Sequence, residues 1–137
     1  MLYYTGMTRI SSTILTEQEE HIRDKIDVLD QMVQMTETAC AELGQGDTEA
    51  IGCMLDKAWQ LKKQMASKIS NPEIDEMYKL ARSNGAMGGK ILGAGGGGFM
   101  LLYVPRESQA QVQAAMQAYR QVEFAFEPEG TRIVFAE

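Results

Sequence analysis

Histidine and cysteine are scarce in this sequence, which has one histidine, His21, and two cysteines, Cys40 and Cys53. The two cysteines lack a metal-binding spacing, and because both lie within helical patterns we predict free, buried thiols. His21 lies in a charged segment with no nucleophile near it in sequence, so we interpret it as a surface residue. The sequence therefore predicts no metal site.

Long apolar runs and an excess of positive charge are also lacking. No run is long enough to span a membrane, and Met1-Leu2-Tyr3-Tyr4 leads directly into Thr-Gly without a secretory signal. The 13 lysines and arginines are outnumbered by 19 acidic residues, which gives a formal net charge of −6. That balance argues against nucleic acid as a partner, although a small phosphorylated ligand needs only local positive potential. We expect a cytoplasmic protein with neither a nucleic-acid nor a membrane partner.

Glycine, in contrast, is concentrated in one place, the sequence GAGGGG at residues 93–98, which we call the glycine loop. Ile91-Leu92 precedes it and the β-prone run Phe99 to Val104 follows it, so the pattern predicts a strand, an enlarged turn and a second strand. Glycine allows several backbone N–H groups to converge on one anion, and Lys90 could add a positive charge. Because ordering glycine is entropically unfavourable, we expect a ligand or another backbone to approach this loop closely.

The glycine loop has three other interpretations. The dinucleotide-binding pattern must open a helix, but a strand follows Gly98 here, which excludes it. A Walker-type phosphate loop ends in Gly-Lys-Ser or Gly-Lys-Thr, and Phe99 excludes that pattern. A flexible linker remains the structural alternative, although apolar strands seldom frame a linker.

Periodicity along the chain predicts the order β-α-α-α-β-β-α-β-β and hence an α+β fold, an antiparallel sheet of about four strands with helices packed on one face, in a ferredoxin-like arrangement. Asn71-Pro72-Glu73 is a typical helix start, with a cap, a proline and an acid. In the predicted strand after the last helix, Val122, Phe124 and Phe126 should share a buried face. The predicted strands are Leu2 to Thr5, Ile91-Leu92, Phe99 to Val104, Val122 to Phe126 and Thr131 to Phe135, and the predicted helices span about Ser12 to Leu43, 48–69, 72–83 and 107–119.

Arg9 follows the first strand in a predicted turn and has two interpretations. It is either a solvated or ion-paired arginine, or a contact to an anionic substrate or to another domain. The residues alone leave both open. Lys57, Lys62, Lys63 and Lys68 are interpreted as the solvated face of the second helix, with a basic patch for phosphate as the alternative.

The sequence GAMGGKILGAGGGGF at residues 85–99 resembles the third conserved motif of the GHMP kinases, a superfamily that includes galactokinase, homoserine kinase, mevalonate kinase and phosphomevalonate kinase. The resemblance is greatest to the heptose phosphate kinase and galactokinase-like sugar kinases. It extends to YTGMTR at residues 4–9, SNP at 70–72, FAFE at 124–127 and GTR at 130–132, and so covers nearly the whole chain.

This resemblance implies that residues 1–137 are a single GHMP kinase C-terminal-like domain with the ferredoxin-like fold of that domain, and that the N-terminal nucleotide-binding domain is absent. The main phosphate loop and the catalytic carboxylate of the family belong to that domain, so no catalytic residue is expected here. ATP and Mg²⁺ are implied for the complete enzyme only. The implied nucleotide- or substrate-binding residues are Lys90, Gly93, Ala94, Gly95, Gly96, Gly97, Gly98, Thr5 and Arg9.

Three functions follow as hypotheses. The chain is the C-terminal domain of an ATP-dependent sugar or sugar-phosphate kinase, with heptose phosphate as the preferred acceptor, and is inactive without its N-terminal domain. Alternatively, it is a stand-alone module that binds a small anion or metabolite. A third hypothesis is a structural interaction domain that forms a homodimer through an exposed apolar face, with the sheet edge near Leu2 to Thr5 as the expected place.

Overall fold

The computed structural model describes residues 1–9, 11–130 and 135 of the chain. Five helices and four strands occur in this part, joined by two 3₁₀ turns. In chain order the elements are β1 (Leu2–Tyr4), α1 (Ser11–His21), a 3₁₀ turn (Ile22–Lys25), α2 (Ile26–Gly44), α3 (Thr48–Lys63), α4 (Pro72–Ser83), β2 (Gly88–Ile91), β3 (Phe99–Tyr103), a 3₁₀ turn (Arg106–Ser108), α5 (Gln109–Ala115) and β4 (Arg120–Val122).

The strands form one antiparallel sheet in the order β2-β3-β1-β4, which confirms the predicted α+β fold class. Tyr3 of β1 lies opposite Met100 of β3 on one side and Gln121 of β4 on the other. Because β1 is paired on both sides, it is an interior strand. The prediction of a free sheet edge near Leu2 to Thr5 for dimerisation was therefore wrong.

Helix α4 begins where its sequence predicts. The Asn71 side chain accepts a hydrogen bond from the Ile74 N–H at 2.9 Å, and Pro72 occupies the first turn, where no N–H partner is needed. Its apolar stripe is buried in the same core cluster as the inward side chains of the sheet, Tyr3, Met100 and Leu102. The stripe consists of Ile74, Met77, Tyr78 and Ala81.

Helix α3 lies directly on β2, because both elements have glycine where they meet. A Cβ atom on Gly88 would lie 2.0 Å from the Gly52 carbonyl oxygen, and one on Gly52 would lie 2.7 Å from Tyr103. This contact brings the last turn of α3 to the end of β2, where the glycine loop begins. The strand, loop and helix end that surround the candidate site are therefore fixed by glycine packing.

Several predictions for individual segments were wrong. The last described strand is Arg120–Val122, and Phe124 and Phe126 are 47% and 91% exposed instead of buried in a strand. Their ring centroids lie 5.7 Å apart, so the two phenylalanines pack against each other instead of against the core. The predicted strand Thr131 to Phe135 lies, except for its last residue, outside the described residues.

The helical predictions need two smaller corrections. A 3₁₀ turn at Ile22–Lys25 divides the first long helix, and α3 ends at Lys63, so that residues 64–70 form turns. Cys40 and Cys53 are free, as predicted, but exposed rather than buried. Helix α2 lies on the outside of α3 and buries none of its residues, which explains the exposure of Cys40.

Candidate functional site

The far end of the glycine loop is bonded to the segment that follows β1. The Gly98 carbonyl accepts hydrogen bonds from both the backbone N–H and the Oγ1 hydroxyl of Thr5, each at 2.9 Å. The Gly98 N–H donates to the Met7 carbonyl at 2.9 Å. Thr5 is 7% exposed, so it acts within this fold by holding the loop in place.

The centre of the glycine loop packs against the turn that follows α3. The Gly96 N–H donates to the Ile69 carbonyl at 2.8 Å, and a Cβ atom on Gly95 would lie 2.8 Å from the same oxygen. On the other side, a Cβ atom on Gly97 would lie 2.8 Å from the Met7 carbonyl oxygen. The loop is therefore packed between the backbone at Ile69 and the backbone at Met7. This ordered packing argues against the interpretation of the loop as a flexible linker.

Position 96 requires glycine for two independent reasons, its backbone conformation and the lack of space for a side chain. Its φ angle is +73°, which L-residues rarely adopt, and its N–H points into the protein toward Ile69. A Cβ atom there would lie 2.9 Å from the Lys68 carbonyl oxygen, 3.0 Å from Ile14 and 3.3 Å from Arg9. The residues around Gly96 are therefore packed to a spacing that admits no side chain.

The near end of the loop is bonded to a lysine of α3. The Lys62 ammonium donates to the Gly93 carbonyl, and burial, followed by the nearby positive charge of Lys90, lowers the pKa of Lys62. Lys90 therefore lies beside Lys62. It does not line the cleft described next, and Ala94 is half-buried in the loop.

A cleft of about 490 Å³ opens next to Gly96, between α1 and the turn at residues 67–70. A volume of this size is in the range that small-molecule sites occupy. Arg9 lies in its wall, as the resemblance suggested, and Lys68 contributes a second cation. The full lining is Thr8, Arg9, Thr13, Ile14, Ser67, Lys68, Ser70 and Asn71.

Glu17 of α1 fixes the turn that forms one wall of the cleft. Its two carboxylate oxygens accept hydrogen bonds from the Ser67 N–H at 2.6 Å and from the Ser67 hydroxyl at 3.0 Å. These two bonds hold the pKa of the Glu17 carboxyl below its usual value. Glu17 thereby orients the backbone that carries Lys68.

The cleft has a net positive lining. The ion pairs among the described residues are Lys63 with Asp75 and Arg82 with Asp56, and neither includes Arg9 or Lys68. Two cations at one cleft favour an anionic ligand such as a phosphate group, and Lys68 also interacts electrostatically with the Glu17 carboxylate. The described residues contain no group of three histidine, cysteine or acidic side chains that could hold a metal ion.

The structure thus brings together only part of the predicted site. Of the predicted residues Arg9 lines the cleft, and Gly96 is buried behind the wall against Arg9 and Lys68. Thr5, Gly95, Gly97 and Gly98 hold the loop, and Lys90 lies near Lys62. Sequence reasoning missed the contributions of Ser67, Ser70 and Thr13, and named Lys68 only within the alternative of a basic patch for phosphate. One signal was present, since Ser70-Asn71-Pro72 matched the resemblance, but it was interpreted only as a helix start. None of the helices in the described ranges has the length and apolarity that a membrane crossing requires.

Comparison with known proteins gives a consistent result. The family profile described as "GHMP kinases C terminal" matches residues 38–121. The chain is 34% identical over 141 aligned residues to D-glycero-alpha-D-manno-heptose 7-phosphate kinase of Campylobacter jejuni, covering 96% of this chain and 40% of that protein. It is 36% identical over 78 residues to mevalonate kinase of Methanothermobacter thermautotrophicus, covering 57% of this chain and 25% of that protein.

A solved structure has the same fold. The L. major mevalonate kinase, crystallised in complex with R-mevalonate, superposes with a TM-score of 0.73, 18% sequence identity, and coverage of 85% of this chain and 37% of that one. At this identity the likeness shows the fold alone. The chain spans 40% or less of the length of each relative described here.

Proposed function

Since this chain belongs to the GHMP kinase family, as its C-terminal domain, we propose that it forms the acceptor side of an ATP-dependent sugar-phosphate kinase, with heptose phosphate preferred. Residues 38–121 match the family's C-terminal profile, and the heptose kinase relative is similar over nearly the whole chain. The observation that carries the proposal is the hydrogen-bonded glycine loop beside a cleft that Arg9 and Lys68 line. Such a reaction takes place where ATP and sugar phosphates occur, in the cytoplasm.

Within this proposal the chain binds and orients, and does not move a proton. Phosphoryl transfer depends mainly on positioning and on electrostatic stabilisation of the transferring group. The loop is bonded at Gly93, Gly96 and Gly98, so the cleft wall is set before a ligand arrives. When bound, ATP with Mg²⁺ supplies the phosphoryl group, and Arg9 and Lys68 provide charge for a phosphate in the cleft.

Catalysis requires a second domain. A general base should have a pKa near the working pH and a free oxygen toward the substrate. Glu17 and Asp75 are carboxylates that contact the described cleft wall. Both Glu17 oxygens accept bonds from Ser67 and its pKa is lowered, and the Asp75 oxygen that accepts from Ser70 also pairs with Lys63. We therefore expect the base and the main phosphate loop on a nucleotide-binding domain, and no ATP turnover by these residues alone.

A stand-alone module that binds a small anion is the second candidate, and the same cation-lined cleft favours it. The two candidates differ in one respect. The kinase needs a nucleotide-binding domain to act on its ligand, whereas the binding module is complete without one.

Complementation tests the kinase proposal. The N-terminal part of the Campylobacter heptose kinase, which this chain does not align with, would be mixed with this chain, and ADP formation measured with heptose 7-phosphate. The matched control pairs the same N-terminal part with its own C-terminal part. We expect acceptor-dependent ADP formation in both mixtures and none from either half alone. An active control beside an inactive mixture in which the two halves associate would contradict the proposal.

A further inference from the structure

Helix α2 and the 3₁₀ turn before it carry an apolar stripe that the rest of the domain leaves uncovered. We propose that this stripe is an interaction surface that pairs with the same stripe of a second copy of this chain, with the two α2 helices antiparallel. The pairing does not depend on the proposed kinase function. The stripe consists of Ile22, Ile26, Leu29, Val33, Thr36, Cys40 and Leu43.

The spacing of the stripe is typical of a seam between two helices. Its members alternate steps of four and three residues over three heptads, and Thr36 is the single polar member. A seam with this period faces the same partner helix along its whole length. The Thr36 hydroxyl donates to the Met32 carbonyl at 3.0 Å, so an apolar layer around Thr36 leaves no donor unsatisfied.

The stripe is exposed in the described part of the chain. The contact of α2 with α3 uses a neighbouring seam of the helix, whose half-buried members are Val28, Met32, Met35 and Ala39. On the stripe itself, four large apolar side chains are between 48% and 58% exposed, namely Ile22, Ile26, Val33 and Leu43. A partner helix can therefore reach the stripe without any rearrangement of the domain.

The charges beside the stripe favour an antiparallel second copy. The flank that points away from α3 has Arg23 at its start, Asp30 at its middle and Glu37 near its end. All three are exposed, and neither ion pair of the described residues includes them. In an antiparallel pair, Arg23 of each copy lies beside Glu37 of the other, so two ion pairs form. Asp30 lies beside its own counterpart near the two-fold axis, which is the one unfavourable contact.

The apolar layers are consistent with the same register. Leu29 of one copy lies opposite Val33 of the other, and Ile26 lies opposite Thr36, on both sides of the two-fold axis. A surface that is complementary to itself in this way closes with two copies. At 1.5 Å per residue the stripe is about 33 Å long, which is at the small end of specific interfaces. We therefore expect a reversible dimer that forms at about 100 µM chain or below.

Sedimentation equilibrium of the 137-residue chain, at concentrations up to about 500 µM, tests the proposal. We expect the mass to rise from 15.2 kDa to twice that value. Val33→Lys places a charge in the middle of the stripe and should weaken the dimer about a hundredfold. Gln34→Lys is the matched control, because it adds the same charge at an exposed position of α2 away from the stripe. It should leave the dimer unchanged.

Charge reversal tests the antiparallel register. Arg23→Glu and Glu37→Arg should each weaken the dimer about tenfold, because each turns two attractions into two repulsions. The double variant should restore the dimer. Asp30→Asn removes the like-charge contact at the two-fold axis and should strengthen the dimer about threefold. These three positions are exposed, so the charge variants keep the proposal testable even where Val33→Lys fails to fold.

Three results would overturn the proposal. The first is a wild-type chain that stays monomeric over the whole concentration range, and the second is equal dimerisation of the wild type and a folded Val33→Lys variant. The third is a double charge variant as weak as the single ones, since it would exclude the antiparallel register. A monomeric chain that binds the N-terminal part of the Campylobacter heptose kinase, in a way that Val33→Lys abolishes, would assign the stripe to a nucleotide-binding domain instead.

Discussion

Alanine substitution along the glycine loop tests whether the loop is packed as described. Gly93 and Gly96 have nearly the same positive φ, +75° and +73°. A Cβ atom at Gly93 would meet no atom within 4 Å, whereas one at Gly96 would meet Lys68, Ile14 and Arg9 at 2.9 to 3.3 Å. The two substitutions therefore share the backbone strain and differ in packing.

The magnitudes follow from these two contributions. A non-glycine residue in the left-handed region costs about 1–2 kcal/mol, and overpacking costs about 1–3 kcal/mol more. We expect Gly93→Ala to lower the free energy of unfolding by about 1–2 kcal/mol and Gly96→Ala by about 2–5 kcal/mol. Gly97→Ala isolates the packing contribution, because Gly97 has no positive φ but its Cβ would lie 2.8 Å from the Met7 carbonyl oxygen.

Equilibrium urea unfolding of the three variants measures these differences. With a denaturant dependence of about 1–3 kcal/mol per molar urea, Gly96→Ala should lower the midpoint by about 1 M or more. Gly93→Ala should lower it by visibly less. Equal midpoints for Gly93→Ala and Gly96→Ala would refute the close packing of the loop against the turn after α3.

Three further outcomes are expected. Thr5→Val removes the hydroxyl that donates to Gly98 at nearly constant volume, and should lower the free energy of unfolding by about 1–2 kcal/mol in the same urea assay, so unchanged stability would contradict the holding role of Thr5. Because the folded-state pKa of Glu17 is lowered, its stabilising effect is complete above the ordinary glutamate pKa of 4.5 and is lost as pH falls through the lower folded-state pKa. The difference in thermal midpoint between wild type and Glu17→Gln should therefore be present at pH 6 and vanish in acid, and a difference that grows in acid would contradict this. Lys62→Met removes the donor to Gly93 and should speed hydrogen exchange of the amides around the near end of the loop, whereas equal rates would show that the loop does not need this bond.

The sequence predicts the elements whose signals are local. The Asn71 cap and Pro72 mark the start of α4 without reference to the rest of the chain, and the structure has that helix. The glycine loop is likewise visible because strands flank it. The sequence predicts that a ligand or another backbone comes close to the loop. At Gly95 and Gly97 the structure shows that the chain's own backbone lies there.

The wall of the cleft could not be predicted in the same way. Ser67 and Lys68 lie in a turn that was predicted as helix, and the bond from Glu17 that fixes the turn spans 50 residues. Periodicity carries no information about such a distant contact. The same limit explains Phe124 and Phe126, whose alternation is typical of a strand although the two rings contact each other outside the core.

The central claim, that this chain supplies the acceptor side of a sugar-phosphate kinase, is tested most directly by acceptor selectivity in a covalent fusion. The N-terminal part of the Campylobacter heptose kinase would be joined to this chain, and kcat/KM for ADP formation measured with heptose 7-phosphate and with the unphosphorylated heptose. The account predicts a clear preference for the phosphorylated acceptor that Lys68→Met reduces about tenfold and Lys57→Met does not. A folded fusion that transfers phosphate to both acceptors equally, or to neither, would contradict it.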